Sequence, residues 1–298
     1  MQSEKKIIMV GDNPFHGISH LSQEKAVLRG KDILMPEKAA EIVATALDNG
    51  AQAFTFTVDG TILAILESLH SNKYHPPLYA FVPYSYEYVR LAVSLGGITG
   101  LAKRVAAQII KSGNFFAMLH GTKGVLTIDP AEAYKAYIYY EVGRIKAAAK
   151  TKNTLKCLFL HQVVTDMALA LDIQWIIRAH IDVLAKMGVM PGLQTFNLPL
   201  LVQKMEGWNI DLGKILIGVP FNASGMQMNP SRIEAEKALQ EIKYNNVLVY
   251  GVLAGGLLKL DEALNYIDTL PNIMGIALGV SKKGQAVSTF KYFSTQNA

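Results

Sequence analysis

Val247-Leu248-Val249-Tyr250-Gly251-Val252-Leu253-Ala254-Gly255-Gly256 is an apolar run that breaks into glycines, and Ile276-Ala277-Leu278-Gly279-Val280-Ser281-Lys282-Lys283-Gly284-Gln285 repeats the device further on. Each reads as a short strand opening into a loop. In an eight-stranded α/β barrel, the loops after strands seven and eight commonly hold phosphate, with a helix N-terminus completing the site. Glycine lets backbone approach an anion, and lysine supplies charge. The pair therefore predicts a phosphate-bearing ligand held by Gly255, Gly256, Ser281, Lys282, Lys283 and Gln285.

The same strand–helix alternation runs back towards the N-terminus. Strands are expected at Ile7–Val10, Ala53–Thr57, Leu78–Val82, Leu155–Leu160, Gly192–Phe196 and Ile215–Val219, ahead of the two already quoted. Helices are expected at Pro36–Leu47, Thr61–His70, Ala131–Lys150, Ile173–Lys186, Pro199–Met205, Ser231–Lys243, Asp261–Leu270 and Gln285–Phe293. Pro36 suits the first turn of a helix, and Asn49-Gly50 suits its end. Tyr86–Ile110 looks helical but is interrupted by Gly96-Gly97 and Gly100, and Phe115–Leu126 is ambiguous between strand and loop. Repeated βα units predict a parallel sheet, and eight of them favour a closed (β/α)8 TIM barrel. The expectation is a single domain over residues 1–298, with a helical insertion or lid at 86–150 between strands 3 and 4. No GxGxxG follows the first strand, which argues against a Rossmann domain.

Composition narrows the partners. Of 298 residues 50% are hydrophobic, which supports a large core and excludes global disorder. The net charge of +5 is modest and spread along the chain, with no nucleic-acid motif, so a small anionic ligand is the better inference. Cys157 is the only cysteine, which leaves no intrachain disulfide and no thiolate metal cluster. The N-terminus does not read as a signal peptide, and no apolar stretch reaches spanning length. A cytoplasmic protein with no membrane or nucleic-acid partner is expected, with homo-oligomerisation open.

Catalytic groups of such a barrel project from the C-terminal ends of its strands. Those ends carry Asp12, Asn13 and His16 (then His20) after strand one, Asp59 after strand two, and Tyr84 and Tyr86 after strand three. Strand four gives His161, Gln162 and Asp166, strand five Asn197, and strand six Asn222. His16 sits between an aromatic residue and a glycine, where a histidine can act as acid, base or ligand. Asp12 and Asn13 suit a turn equally well, and Asp59 suits a helix cap as well as a base. His161 ends an apolar strand and suits either packing or polarisation of a carbonyl. Convergence of His16, His20, Asp59 and His161 would make a metal set, but no local ligand motif supports one, so the metal is unknown. His70, His75, His120 and His180 read as structural or solvent-facing.

Tyr250–Leu258 and Gly279-Val280-Ser281-Lys282 resemble the seventh- and eighth-strand segments of the aldo-keto reductase superfamily. Leu158-Phe159-Leu160-His161, Val219-Pro220-Phe221-Asn222, Gly192–Asn197 and Asn49–Phe54 extend the likeness over most of the barrel frame. The resemblance implies an oxidoreductase that binds NADP or NAD and a small carbonyl or hydroxy substrate. His161 would be the active-site histidine, with Tyr84, Gln162, Asn197 and Asn222 around the substrate. It also implies a divergent member. Thr55 stands where the family has its aspartate, Gly60 falls near its tyrosine, and Val82-Pro83 replaces its lysine. Proton exchange would then pass to His16 or Asp59. Two other classes stay open: a lyase, isomerase or hydrolase acting on a phosphorylated metabolite through His and Asp, with or without a metal, and a non-catalytic ligand-binding barrel.

Overall fold

The computed structural model describes residues 6–16, 35–84, 93–96, 98–127, 129–151 and 154–296. Eight parallel strands close on themselves in chain order: β1 (Ile7–Gly11), β2 (Ala53–Thr57), β3 (Leu78–Val82), β4 (Leu155–Leu160), β5 (Met190–Gln194), β6 (Leu216–Pro220), β7 (Val247–Tyr250) and β8 (Ile273–Gly279). Pairing of Ile7–Gly11 with Gly275–Gly279 seals the barrel. The TIM barrel expected from the alternation is the observed fold.

Alternation along the strands sorts side chains into two cores. Met9, Ala53, Tyr79, Phe81, Cys157, Phe159 and Leu248 fill the barrel interior, and the residues between them face the helices. The Phe159 ring stacks on Phe81 at 4.7 Å between centroids. A Cβ on Gly192 would lie 2.4 Å from that ring, so the bare β5 backbone at Gly192 is what admits it. Cys157 is buried here, and burial pushes its thiol well up, as expected of a structural cysteine.

The outer ring comprises α1 (Pro36–Asp48), α2 (Gly60–Ser71), α3 (Ile98–Lys111), α4 (Phe115–Thr127), α5 (Pro130–Ala149), α6 (Gln162–Ala170), α7 (Gln174–Lys186), α8 (Leu198–Gly207), α9 (Arg232–Glu241), α10 (Leu260–Asp268) and α11 (Lys283–Gln296). Among the described residues, the helices α3 to α5 lie between β3 and β4, where an insertion was expected. Ile138, Val142 and Ile145 of α5 belong to the main core, so α5 is the barrel's own helix. The added part is the α3–α4 hairpin, which packs on α5 through Ile109, Ala117, Ala136 and Tyr140.

Two expectations need correction. Phe115–Leu126 is helical, because Ala117 and Gly121 form a small-residue face against Ala136 of α5, a tertiary contact invisible in local pattern. The segment after β4 holds α6 as well as α7, with His161 itself starting α6. Residues 85–92, and with them Tyr86, lie outside the described residues. Among the described residues, no helix is long and apolar enough to cross a membrane.

Candidate active site at the barrel mouth

After β2, β4 and β5 the connections are so short that a residue just beyond the strand also caps the next helix. Asp59 accepts a hydrogen bond from Ile62 N at 2.7 Å, His161 Nδ1 from Val163 N at 3.3 Å, and Asn197 Oδ1 from Leu200 N at 3.1 Å. An N-cap satisfies a helix amide that would otherwise lack a partner. Of the two sequence readings of Asp59, the helix cap is the one observed.

His161 has the chemistry to go further. Its backbone N–H bonds Val82 O at 2.7 Å, which fixes the residue at the β3–β4 rim. Burial pushes its imidazole down to about 4, against an opposing pull from the Asp12 carboxylate. The ring is thus neutral at ordinary pH. Because Nδ1 accepts the Val163 amide, the proton belongs on Nε2, making that atom a hydrogen-bond donor.

Asp12 is 7% exposed, and its Oδ2 accepts from Thr57 N at 2.6 Å. Strands one, two and four therefore deliver Asp12, Thr57 and His161 to a common rim, and the Asp12 charge reaches the imidazole. Asn13 opens a 3-10 turn (Asn13–His16) and is exposed. The side chain of His16 and all of His20 lie outside the described residues.

A polar network lines the other side. Asp166 Oδ1 accepts from the Thr195 hydroxyl and Oδ2 from Phe196 N at 3.2 Å; burial raises its pKa while these bonds lower it. Thr195 Oγ1 in turn accepts from Asn197 N at 2.9 Å. Gln194 Oε1 accepts from Gln162 N at 3.1 Å. Burial pushes the Tyr250 phenol well up, with a hydrogen bond to Gln194 opposing. Among the described residues four buried side-chain atoms lack a partner, and two of them belong to this end of the barrel: Gln162 Oε1 in the rim and Thr55 Oγ1, which strand alternation places inside the barrel. Thr55 stands level with Gly11 of β1, and Gly11 is level with Gly279 of β8. Small residues on β8, β1 and β2 thus stand level with one another, and Pro14 packs over Gly279, where a Cβ would lie 3.2 Å from its ring.

The two glycine-bearing loops lie side by side, since β7 pairs with β8. Gly255 and Gly256 are exposed, with φ of 72° and 99° that side chains rarely adopt. Lys282 is exposed at the start of α11. Other nominated groups are committed elsewhere. Gln285 Oε1 accepts from Ser281 N at 3.0 Å, bracing the helix start, and Lys283 Nζ is paired with Glu41 of α1 at 2.6 Å. Asn222 is likewise occupied: Oδ1 accepts from Ser224 Oγ at 2.7 Å and Met226 N at 2.8 Å, while Nδ2 donates to Met226 O at 2.9 Å. It braces the loop after β6. Tyr84 is half-buried at the end of β3.

Thr57, Gln194, Thr195 and Tyr250 did not stand out in the sequence. Inward parity along β2, β5 and β7 would have found all but Thr195. Among the described residues, no cluster of His, Cys, Asp and Glu is arranged to hold a metal ion.

A closed (β/α)8 barrel with a polar mouth and a glycine-lysine edge at β7–β8 defines the class. No protein-family model matches this sequence, and no curated protein matches it. Solved structures do. A Pseudomonas aeruginosa protein described as an aldo-keto reductase superposes with a TM-score of 0.59 at 12% identity, covering 98% of this chain and 91% of that one. The glycerol dehydrogenase AKR11B4 of Gluconobacter oxydans gives 0.54 at 12% identity, covering 98% and 88%. A protein described as a 2,5-diketo-D-gluconic acid reductase B gives 0.56 at 12%, covering 96% and 82%. The chain therefore has the fold of the aldo-keto reductases, in divergent form.

Proposed function

We propose that this barrel is an oxidoreductase that reduces a small carbonyl compound, or oxidises the matching alcohol, at the mouth around His161. The observation that carries the reading is the state of that histidine: neutral by burial, its Nδ1 engaged by the Val163 amide, and its Nε2 left as donor. A donor held in a poorly solvated rim stabilises negative charge growing on a carbonyl oxygen more strongly than water does. Asp12, oriented by Thr57 N, sits where it raises the imidazole's basicity, and the pair takes the proton-exchange role. Gln162 Oε1 and the Thr55 hydroxyl are the unpaired buried groups at this end of the barrel on which a ligand's hydrogen bonds would be spent.

A nicotinamide dinucleotide would supply the hydride. The residues at β7–β8 suit its phosphates in part. Gly255 and Gly256 give an exposed backbone cradle, and Lys282 and the first turn of α11 give positive potential. Lys283 is paired with Glu41, and Gln285 Oε1 accepts from both Ser281 N and Ser281 Oγ, so the anion contact narrows to Gly255, Gly256 and Lys282.

Fluorescence titration with NADPH and NADH, followed by turnover against a panel of aldehydes and ketones, tests the reading. Saturable binding of one of them is expected, with turnover lost in His161→Ala while binding is retained. No binding of either at millimolar concentration would overturn the redox assignment.

A further inference from the structure

We propose that the α3–α4 hairpin is a docking surface for an anionic lipid bilayer, entered by the tip that carries Phe115. Residues 98–127 contain Lys103, Arg104, Lys111 and Lys123 and no acidic residue, four of the chain's net charges of +5; Lys123 is paired with Glu132 of α5 at 3.2 Å, so the cationic face rests on Lys103, Arg104 and Lys111 of α3. At 100° per residue, Lys103, Arg104, Ala107, Ile110 and Lys111 share one side of α3, and all five are exposed. The opposite side puts Val105 and Ile109 against α5. In α4, Phe115, Phe116 and Leu119 share the outward face, while Ala117 turns in.

The apolar part of this surface is large. Ile110 is 67% exposed, Phe115 66%, Phe116 54% and Leu119 51%, and all four flank the turn at residues 112–114. Side chains more than half exposed on both sides of a turn project; they do not line a groove. Phe116 also stacks on Tyr139 at 5.3 Å, which anchors the tip to α5. A projecting aromatic and aliphatic tip ringed by lysine and arginine has the chemistry of a helix pair lying in a lipid interface. Two-fold self-association would place the same cationic face against itself, so charge disfavours a second copy. Base stacking has no use for Ile110 and Leu119, which disfavours nucleic acid. The proposal departs from the sequence expectation of no membrane partner, which rested on the lack of a spanning segment and so did not weigh a hairpin lying on the surface.

The test uses the full chain and sedimentation with vesicles, either pure phosphatidylcholine or with about one-third phosphatidylserine. Binding is expected to the anionic vesicles alone, weakening as salt rises. Each cation contributes about fivefold in affinity near such a surface, so Lys103→Glu with Lys111→Glu should reduce binding to the level of neutral vesicles. Phe115→Ser with Leu119→Ser should weaken it about tenfold or more while the thermal midpoint holds, since both side chains already face solvent. No sedimentation with anionic vesicles, or binding that survives Phe115→Ser/Leu119→Ser, overturns the proposal. So does a change of oligomeric state across these variants, or retention by polyglutamate without vesicle binding. The last two results would assign the face to a second copy or to an acidic protein.

Discussion

Titration of His161 is where the proposed chemistry is most exposed to refutation. Burial takes its imidazole from 6.5 to about 4, and the Asp12 carboxylate limits the fall. That displacement corresponds to about 3 kcal/mol in favour of the neutral ring. In the unfolded chain the ring takes a proton below 6.5; in the folded protein it resists until about 4. The contribution to stability is therefore complete above 6.5 and is lost as pH falls towards 4. His180 adds in the same sense, being buried and also brought down to about 4. For turnover, the Nε2 donor and the Nδ1 acceptor both belong to the neutral ring, so a rate that depends on them stays level down to about pH 5 and falls near 4. NMR of the Cε1–Hε1 signal against pH measures the value directly, with His161→Gln giving the assignment. Asp12→Asn removes the upward pull and should lower the value further. A His161 signal that titrates between about 6 and 7, or one that rises in Asp12→Asn, would refute both the burial argument and the tautomer built on it.

Other outcomes follow from the same coordinates. Lys282→Ala should weaken dinucleotide binding about tenfold, the worth of one charge-assisted hydrogen bond, whereas Lys283→Ala should change it little because its ammonium is paired with Glu41; fluorescence titration of both compares them. Asp59→Ala should cost about 1 kcal/mol through loss of the α2 cap, and Asp59→Ser should restore most of it with turnover intact; a stable but inactive Asp59→Ser would return Asp59 to the proton-exchange role. Gly192→Ala should destabilise by about 1–3 kcal/mol, since its methyl meets the Phe159 ring at 2.4 Å and that ring is held by Phe81; a urea midpoint unchanged from the parent would contradict this packing.

What was legible in the sequence follows the range of the forces involved. Strands β2, β3, β4 and β7 have the observed bounds because apolar runs and their Gly, Pro and Asn boundaries are local signals. β5 begins two residues earlier than expected, at Met190, and β8 three earlier, at Ile273: pairing with β4 and β7 extends them through residues whose own propensity is weak, such as Pro191 and Gly275. The helicity of α4 escaped for the same reason. Among site residues, the position of His161 was readable because it ends an apolar strand; its tautomer and depressed pKa were not, since these depend on Val163, Asp12 and burial. Lys283 and Gln285 looked like anion ligands because adjacency to a glycine loop is visible, whereas Glu41, which captures Lys283, is distant in the chain.

Under the proposed function, chemistry at the mouth does not call on the acid that the resemblance implies for this fold. Gly11, Thr55 and Gly279 stand level on β1, β2 and β8, while Phe81 and Phe159 stack on the β3–β4 side. Tyr250 is a poor proton donor, since burial raises its pKa. In the proposed reading His161 is the neutral donor for a developing oxyanion and Asp12 the nearby carboxyl for the proton, two roles carried by two residues from different strands. Their separation makes a specific demand. Asp12→Asn should slow the proton-dependent direction while leaving ligand affinity nearly unchanged, and His161→Gln should weaken both. Equal effects of the two variants on affinity would mean that Asp12 is a binding group, and the division of labour drawn here would fail.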